Sequence, residues 1–362
     1  MKKTLLIITL LSALTHGLDL KRFYGEPSLQ CGAYFKLVST NDTTAALFAL
    51  PLVHSFDLSR NLHLDASTVP TAVLTNNESS LTARLSSTKL RLTLNSGNII
   101  LSTIGLRIPT AYNRFSEEQT RAMGMVSARQ MNVDYSDLYN STDINLGVAS
   151  SLYFKDVGDG DLTLALAFSY LYKGATEPLN VTEAFFYPGQ EFTSAATAEY
   201  VFIAFERRFD ITADALYTMF TDDSYAGGET YSRGSIFQWA LSLSSSVTAQ
   251  LPLSIRIANY LRSPSESPLG NTGKASDLFI ALSAIPPLSK NFKPDISLSF
   301  SSYAAGGLNK YGDAAIITLD GKTEKKITEK VTTLYSAGLE GGTLEGKGIL
   351  GFTGSATLRF NF

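Results

Sequence analysis

The stretch GILGFTGSATLRFNF, residues 348 to 362, alternates almost without fault. Leu350, Phe352, Ala356, Leu358, Phe360 and Phe362 share one parity, and Thr353, Ser355, Thr357, Arg359 and Asn361 share the other. Successive side chains of a strand point to opposite faces, so this segment has one apolar wall and one wet wall. A soluble sandwich strand has the same pattern, but it rarely leaves the polypeptide ending on an aromatic.

The same period recurs upstream. Between Asp161 and Tyr172, Leu162, Leu164, Leu166, Phe168, Tyr170 and Tyr172 oppose Thr163, Ala165, Ala167 and Ser169; between Ser141 and Phe154, Ile144, Leu146, Val148 and Leu152 oppose Asp143, Asn145, Gly147 and Ser151. The Gly/Asp-rich residues 155–160 join the two as a hairpin, since such residues tolerate positive φ. Further hairpins are expected over 90–108, 192–219, 237–261 and 278–300, with longer polar connections at 109–140, 175–190, 222–234, 264–274 and 305–313. Short and long connections therefore alternate, as in a transmembrane barrel.

The other end of the chain carries Lys2 and Lys3 before an apolar run from Leu5 to Leu14, then Thr15-His16-Gly17 with small residues placed for cleavage. Residues 1–17 read as an export signal and 18–362 as the mature domain. The apolar run is about half of the ~20 residues that a spanning helix needs. No later stretch is long enough, so a mature chain in a membrane must cross it as strands. Cys31 is the only cysteine and forms no internal disulfide; Ser28-Leu29-Gln30 before it is a poor lipidation site.

At 44% hydrophobic and 17% charged the composition suits strands with one wet face. A formal net charge of −3 gives no electrostatic case for nucleic acid or anionic lipid. No Pro/Ser-rich or charged linker divides the chain. The expected fold is all-β: one transmembrane antiparallel up-and-down β-barrel in the outer membrane. Taking Gln30–Ser39 as the first strand and splitting 313–338 at Asp320-Gly321 gives about sixteen strands, or fourteen or twelve if 18–42 is a plug or lead-in. The apolar phase flips between Leu85 and Leu90, as at a β-bulge. Lys322 to Thr333 is too charged to read by alternation. Tyr153, Phe154, Tyr170, Tyr172, Trp239, Tyr260, Phe360 and Phe362 are expected in interfacial aromatic girdles, the alternative being the core of a sandwich.

Lys89, Arg91, Arg107, Arg256 and Arg359 fall on the polar face, with Asp143, Glu199 and Asp277 as opposite charges. Lys89, Arg91 and Arg107 belong to one hairpin; they either line a constriction favouring anions or pair with acids in a hydrated interior. In the 109–140 connection, Ser116 followed by Gln119 is a capping-box start for a helix to about Met131. Its Met123, Met125, Val126 and Met131 either capture a hydrophobic solute at the barrel mouth or pack the loop onto its neighbours.

Enzyme chemistry finds little support. Apart from the leader, only His54 and His63 remain, near the turn at 57–61, and there is no G-x-S-x-G or HExxH pattern. Asp156, Asp159 and Asp161 share a little with a calcium loop, but DVGDGD is an ordinary tight turn. No metal, cofactor or nucleic-acid partner is expected.

The terminal Phe362, the hairpin VGDGDLTLALAFSY (157–170) and the strand-end proline of GLRIPTAYNRFSEEQ (105–119) resemble bacterial outer-membrane barrels of the long-chain fatty-acid and aromatic-compound transporter type. The resemblance implies passage of small, hydrophobic solutes, with membrane lipid and the barrel assembly machinery as partners, the latter reading Phe360 and Phe362. The chain departs from that type in lacking Asn-Pro-Ala near the mature N-terminus, where residues 39–50 read STNDTTAALFAL. A general porin with a mildly cationic lumen and a structural or surface barrel without transport are the alternatives.

Overall fold

The computed structural model describes residues 27–40, 44–59, 61–75, 78–84, 87–96, 100–110, 141–175, 186–225, 228–248, 251–266, 271–288, 294–304 and 313–362. The expected export signal and the helix with Met123, Met125, Val126 and Met131 lie outside these residues.

Ser28–Thr40 is β1. The second stave is Thr44–Ala49 (β2) continued by Leu52–Ser59 (β3), and the third is Leu62–Thr68 (β4) continued by Thr71–Thr75 (β5). Glu78–Arg84 (β6) and Thr88–Ser96 (β7) make the fourth. Ile100–Ile108 (β8), Asp143–Val157 (β9) and Gly160–Tyr172 (β10) follow. Phe186–Tyr187 (β11) sits in the connection before Glu191–Ala204 (β12) and Arg207–Phe220 (β13). Asp223–Tyr225 (β14) and Thr230–Tyr231 (β15) sit in the next connection. The wall then continues with Ile236–Thr248 (β16), Leu251–Arg262 (β17), Ala275–Ala284 (β18), Asp295–Tyr303 (β19), Ala314–Lys326 (β20), Val331–Leu344 (β21) and Lys347–Asn361 (β22).

Each stave pairs antiparallel with the next, and β22 pairs with β1 from Ser28↔Asn361 to Thr40↔Ile349. The result is a closed barrel of sixteen staves, which leaves no ladder edge to satisfy in lipid. Of the segment 18–42, residues 28–40 are wall. The joins in the second and third staves are at Pro51 and Pro70, which have no N–H to give to the ladder. Their carbonyls still accept, from Gly32 and Leu50, and register runs through both joins unchanged.

The fourth stave carries the bulge that the phase flip implied. Thr71 pairs with Arg84 and Ser67 with Lys89, so five steps on one stave face four on the other. The expected turn at Asp320-Gly321 is not there: β20 runs straight through both residues, and the chain reverses at 327–330. Gly321 is an ordinary ladder position opposite Ala337. The charged 322–326 segment, unreadable by alternation, is the end of β20.

The ends of β8, β10, β13, β17 and β19, from which the long connections leave, lie at one end of the barrel; the ends of β3, β7, β9, β12 and β20 lie at the other, with Ser28 and Asn361. At the long-connection end β11, β14 and β15 form a separate three-stranded sheet.

The outward face is apolar. Leu166, Phe168, Leu298, Leu319, Leu339 and Leu350 are each at least 48% exposed, a pattern that only a non-aqueous surround makes favourable. Phe154, Tyr170, Tyr172, Trp239, Phe360 and Phe362 join this face near its edges, as girdle residues do. Two residues expected there do not: Tyr260 pairs with Asp277 and Gln238 on the inward parity, and Tyr153 is opposite Thr163, its hydroxyl donating to Asp161 at 2.6 Å. Period-two counting fixed their faces only relative to an uncertain strand origin. The molecule is a transmembrane β-barrel of the outer-membrane type, and its location is the outer membrane.

Candidate functional site

The inner wall is the only face on which a solute would meet the polar side chains, and register places every wall residue on it or off it. Arg91 of β7 pairs across the ladder with Asp65 of β4, and its Nε and Nη2 donate to one Asp65 oxygen at 3.1 and 2.8 Å. The other Asp65 oxygen accepts from Ser55 at 2.7 Å and lies 3.0 Å from His63 Nε2. His63 Nδ1 in turn lies 2.7 Å from Asp57. Both ring nitrogens thus face carboxylate oxygens, which tie His63 into the same polar chain as Arg91.

Arg107 Nη1 lies 3.0 Å from Asp143, which also accepts from the Ser141 hydroxyl and the Gly174 amide. Lys89 is the cross-strand neighbour of Arg107. Arg359 reaches Glu324 at 2.9 Å, while Arg256 stands 4.0 Å from Asp214 and is 43% exposed. All five cations read from the sequence as lumen residues, Lys89, Arg91, Arg107, Arg256 and Arg359, face inward. Of the acids, Asp143 takes the partner role, and Glu199 and Asp277 face inward on β12 and β18.

Sequence reading missed several groups. Lys36 of β1 and Glu340 of β21 form an ion pair at 2.8 Å with side chains only 2% and 3% exposed. Two glycines make room for such groups. The Asp320 carboxylate lies where a Cβ at Gly338 would sit, and Glu340 lies over Gly351 in the same way. At the long-connection end Lys173 pairs with Glu191, and its backbone amide donates to Gln190 at 2.9 Å. Burial holds the Lys173 ammonium below the usual lysine range; Glu191 offsets this in part, and Arg233 adds repulsion. The available signal for Lys36 was its polar parity with Gln30 in the first strand. For Glu340 and Lys173 none existed, because their partners are set by register.

An apolar patch shares the wall at the long-connection end, where Val38, Leu47, Val73, Ile316, Leu344 and Ile349 cluster with the small residues around them. His54 faces outward, tilted against Phe56 and edge-on to Phe362, 4.9 and 6.3 Å between centroids. At 155–160 the backbone of Asp156 donates to Asp161 and both Asp156 and Gly158 have positive φ, so the motif serves as a tight turn.

No protein-family model matches the sequence, and no curated protein does. Among solved structures, a bacterial polysaccharide outer-membrane secretin is similar at 9% identity and TM-score 0.47, covering 93% of this chain and 98% of its own. The anion-selective porin from Comamonas acidovorans is similar at 12% identity and TM-score 0.42, covering 92% and 98%. An outer-membrane channel from Pseudomonas putida F1 is similar at 10% identity and TM-score 0.36, covering 93% and 96%. These likenesses bear on neither solute nor mechanism, for which the chain's own residues are the only guide.

Proposed function

We propose that the chain is a passive channel for small solutes, with the long-connection end outside the cell and the termini in the periplasm. The observation that carries this reading is the contrast between its two faces. Around the ring the outward parity is apolar, whereas the inward parity presents ion pairs, hydroxyls and many small residues. Such a wall is compatible with water and leaves room for a solute.

Liposome swelling tests the reading. Vesicles holding the refolded protein should swell in isotonic small sugars and less as the sugar grows. Equal, background swelling for all sizes would contradict a channel.

Uptake of hydrophobic solutes is the second reading, and the inward apolar patch around Leu47 and Ile316 favours it. A Met123, Met125, Val126 and Met131 capture site would add to it. Replacing the three methionines with glutamine should then reduce uptake of a hydrophobic probe without altering sugar swelling.

A further inference from the structure

We infer that the outer vestibule holds a recognition site for aromatic carboxylates, with Arg233 and Arg262 taking the acid and Tyr260 and Phe279 flanking the ring. The inference rests on the channel reading for its role in passage, but the site itself is a binding claim.

Two observations single out this sector. The first concerns charge. Lys36, Arg91, Arg107, Lys173 and Arg359 each have a carboxylate within 3.1 Å, and Arg256 has one at 4.0 Å. Among the described residues Arg233 and Arg262 have none. Arg233 lies over the Phe220 ring, 4.5 Å from its centroid, and Arg262 has a buried Nε without an acceptor. A buried guanidinium nitrogen left without an acceptor is costly, and a carboxylate would satisfy it.

The second concerns shape. The girdles place aromatics outward, yet here they turn in. Arg262 is opposite Ile236 and Ala275, Tyr260 is opposite Gln238 and Asp277, and Phe279 is opposite Ala258 and Ser301. Arg262 and Tyr260 are thus successive inward residues at the end of β17, with Phe279 diagonal to Tyr260 on β18. Phe220 ends β13 at the same mouth.

The rim is built to hold the two arginines together. Ser263 donates its amide to Ser235, Glu266 donates its amide to Ser232, the Gly234 amide donates to the Ser265 hydroxyl, and the Ser235 and Ser263 hydroxyls lie 3.0 Å apart. These bonds clamp the segment bearing Arg233 to the segment that follows Arg262. Of the acids on the neighbouring strands, Glu191 pairs with Lys173, and Asp277 is buried in the wall between Tyr260 and Tyr303. A guanidinium fork matches a carboxylate with two parallel bonds, and an aromatic ring packs on ring faces. A ligand with only one of these parts would use half of the site.

The test titrates the detergent-folded barrel calorimetrically with benzoate, acetate and benzyl alcohol, and measures potassium chloride conductance separately. Benzoate should bind at least about tenfold more tightly than either of the others. The double variant Arg233→Gln with Arg262→Gln should lose about tenfold or more, and Phe279→Ala, which leaves the rim bonds intact, about threefold or more. Heat-modifiable migration verifies that each variant is folded. Benzoate binding no better than acetate, or binding unchanged in both variants, would overturn the site. Benzoate binding without any conductance would keep the site and remove the channel.

Discussion

At the scale of single residues, burial separates ion pairs that matter from those that do not. Lys36 and Glu340 are almost wholly removed from water, so removing one partner strands a charge; Lys36→Met should destabilise the barrel by about 3–5 kcal/mol in urea titrations. Arg256→Gln should cost about 1 kcal/mol or less, since its pair is long and exposed. Lys173 gives a pH signature. Its folded pKa is lowered, so between that value and ~10.4 the unfolded chain holds the extra proton and stability should rise with pH. The rise should be absent in Lys173→Met, compared by urea midpoints at pH 8 and pH 10. Arg91 and Arg107 were legible as inward cations from alternation alone. Their neutralising partners were legible only in part: Asp143 was on the same polar face, whereas Asp65 lies 26 residues before Arg91 and meets it only through the β4–β7 register. Because both arginines are paired, their replacement by glutamine should leave Asp65 and Asp143 uncompensated and shift reversal potentials toward cations.

At the scale of strands, the decisive property is which parity meets lipid. Leu298 and Ser299 are neighbours on β19 with opposite faces. Leu298→Arg should cost about 2–4 kcal/mol at the apolar face, while Ser299→Arg should assemble normally, read out as heat-modifiable band after refolding. Alternation was readable wherever a strand had a clean apolar face, as in β9, β10 and β22, and the bulge before Lys89 was readable as a break in phase. It failed in β20, where an Asp-Gly pair imitated a turn: Gly321 is tolerated there because it lies on the ladder opposite Ala337, and Asp320 because Gly338 leaves space for its carboxylate. Tyr260 failed for a related reason, since a tyrosine near a strand end suits a girdle and a vestibule equally. The face it occupies depends on its partners in β16 and β18.

At the scale of the whole molecule, the account combines a closed wall, an apolar outside and a charged, small-residue inside into a channel with its long connections outward. In Cys31→Ala, an Asn271→Cys substitution should react with an impermeant thiol reagent in intact cells and Asp159→Cys should not; the reverse would invert the topology. Removing Phe362, whose amide closes the last bond to Pro27 and whose ring packs near His54, should lower the assembled fraction more than removing Asn271. The measurement that bears most directly on the central claim is single-channel recording from refolded, heat-modifiable protein in a planar bilayer. The account predicts discrete, steady insertion steps in potassium chloride. A correctly folded barrel that inserts and passes no current would contradict it.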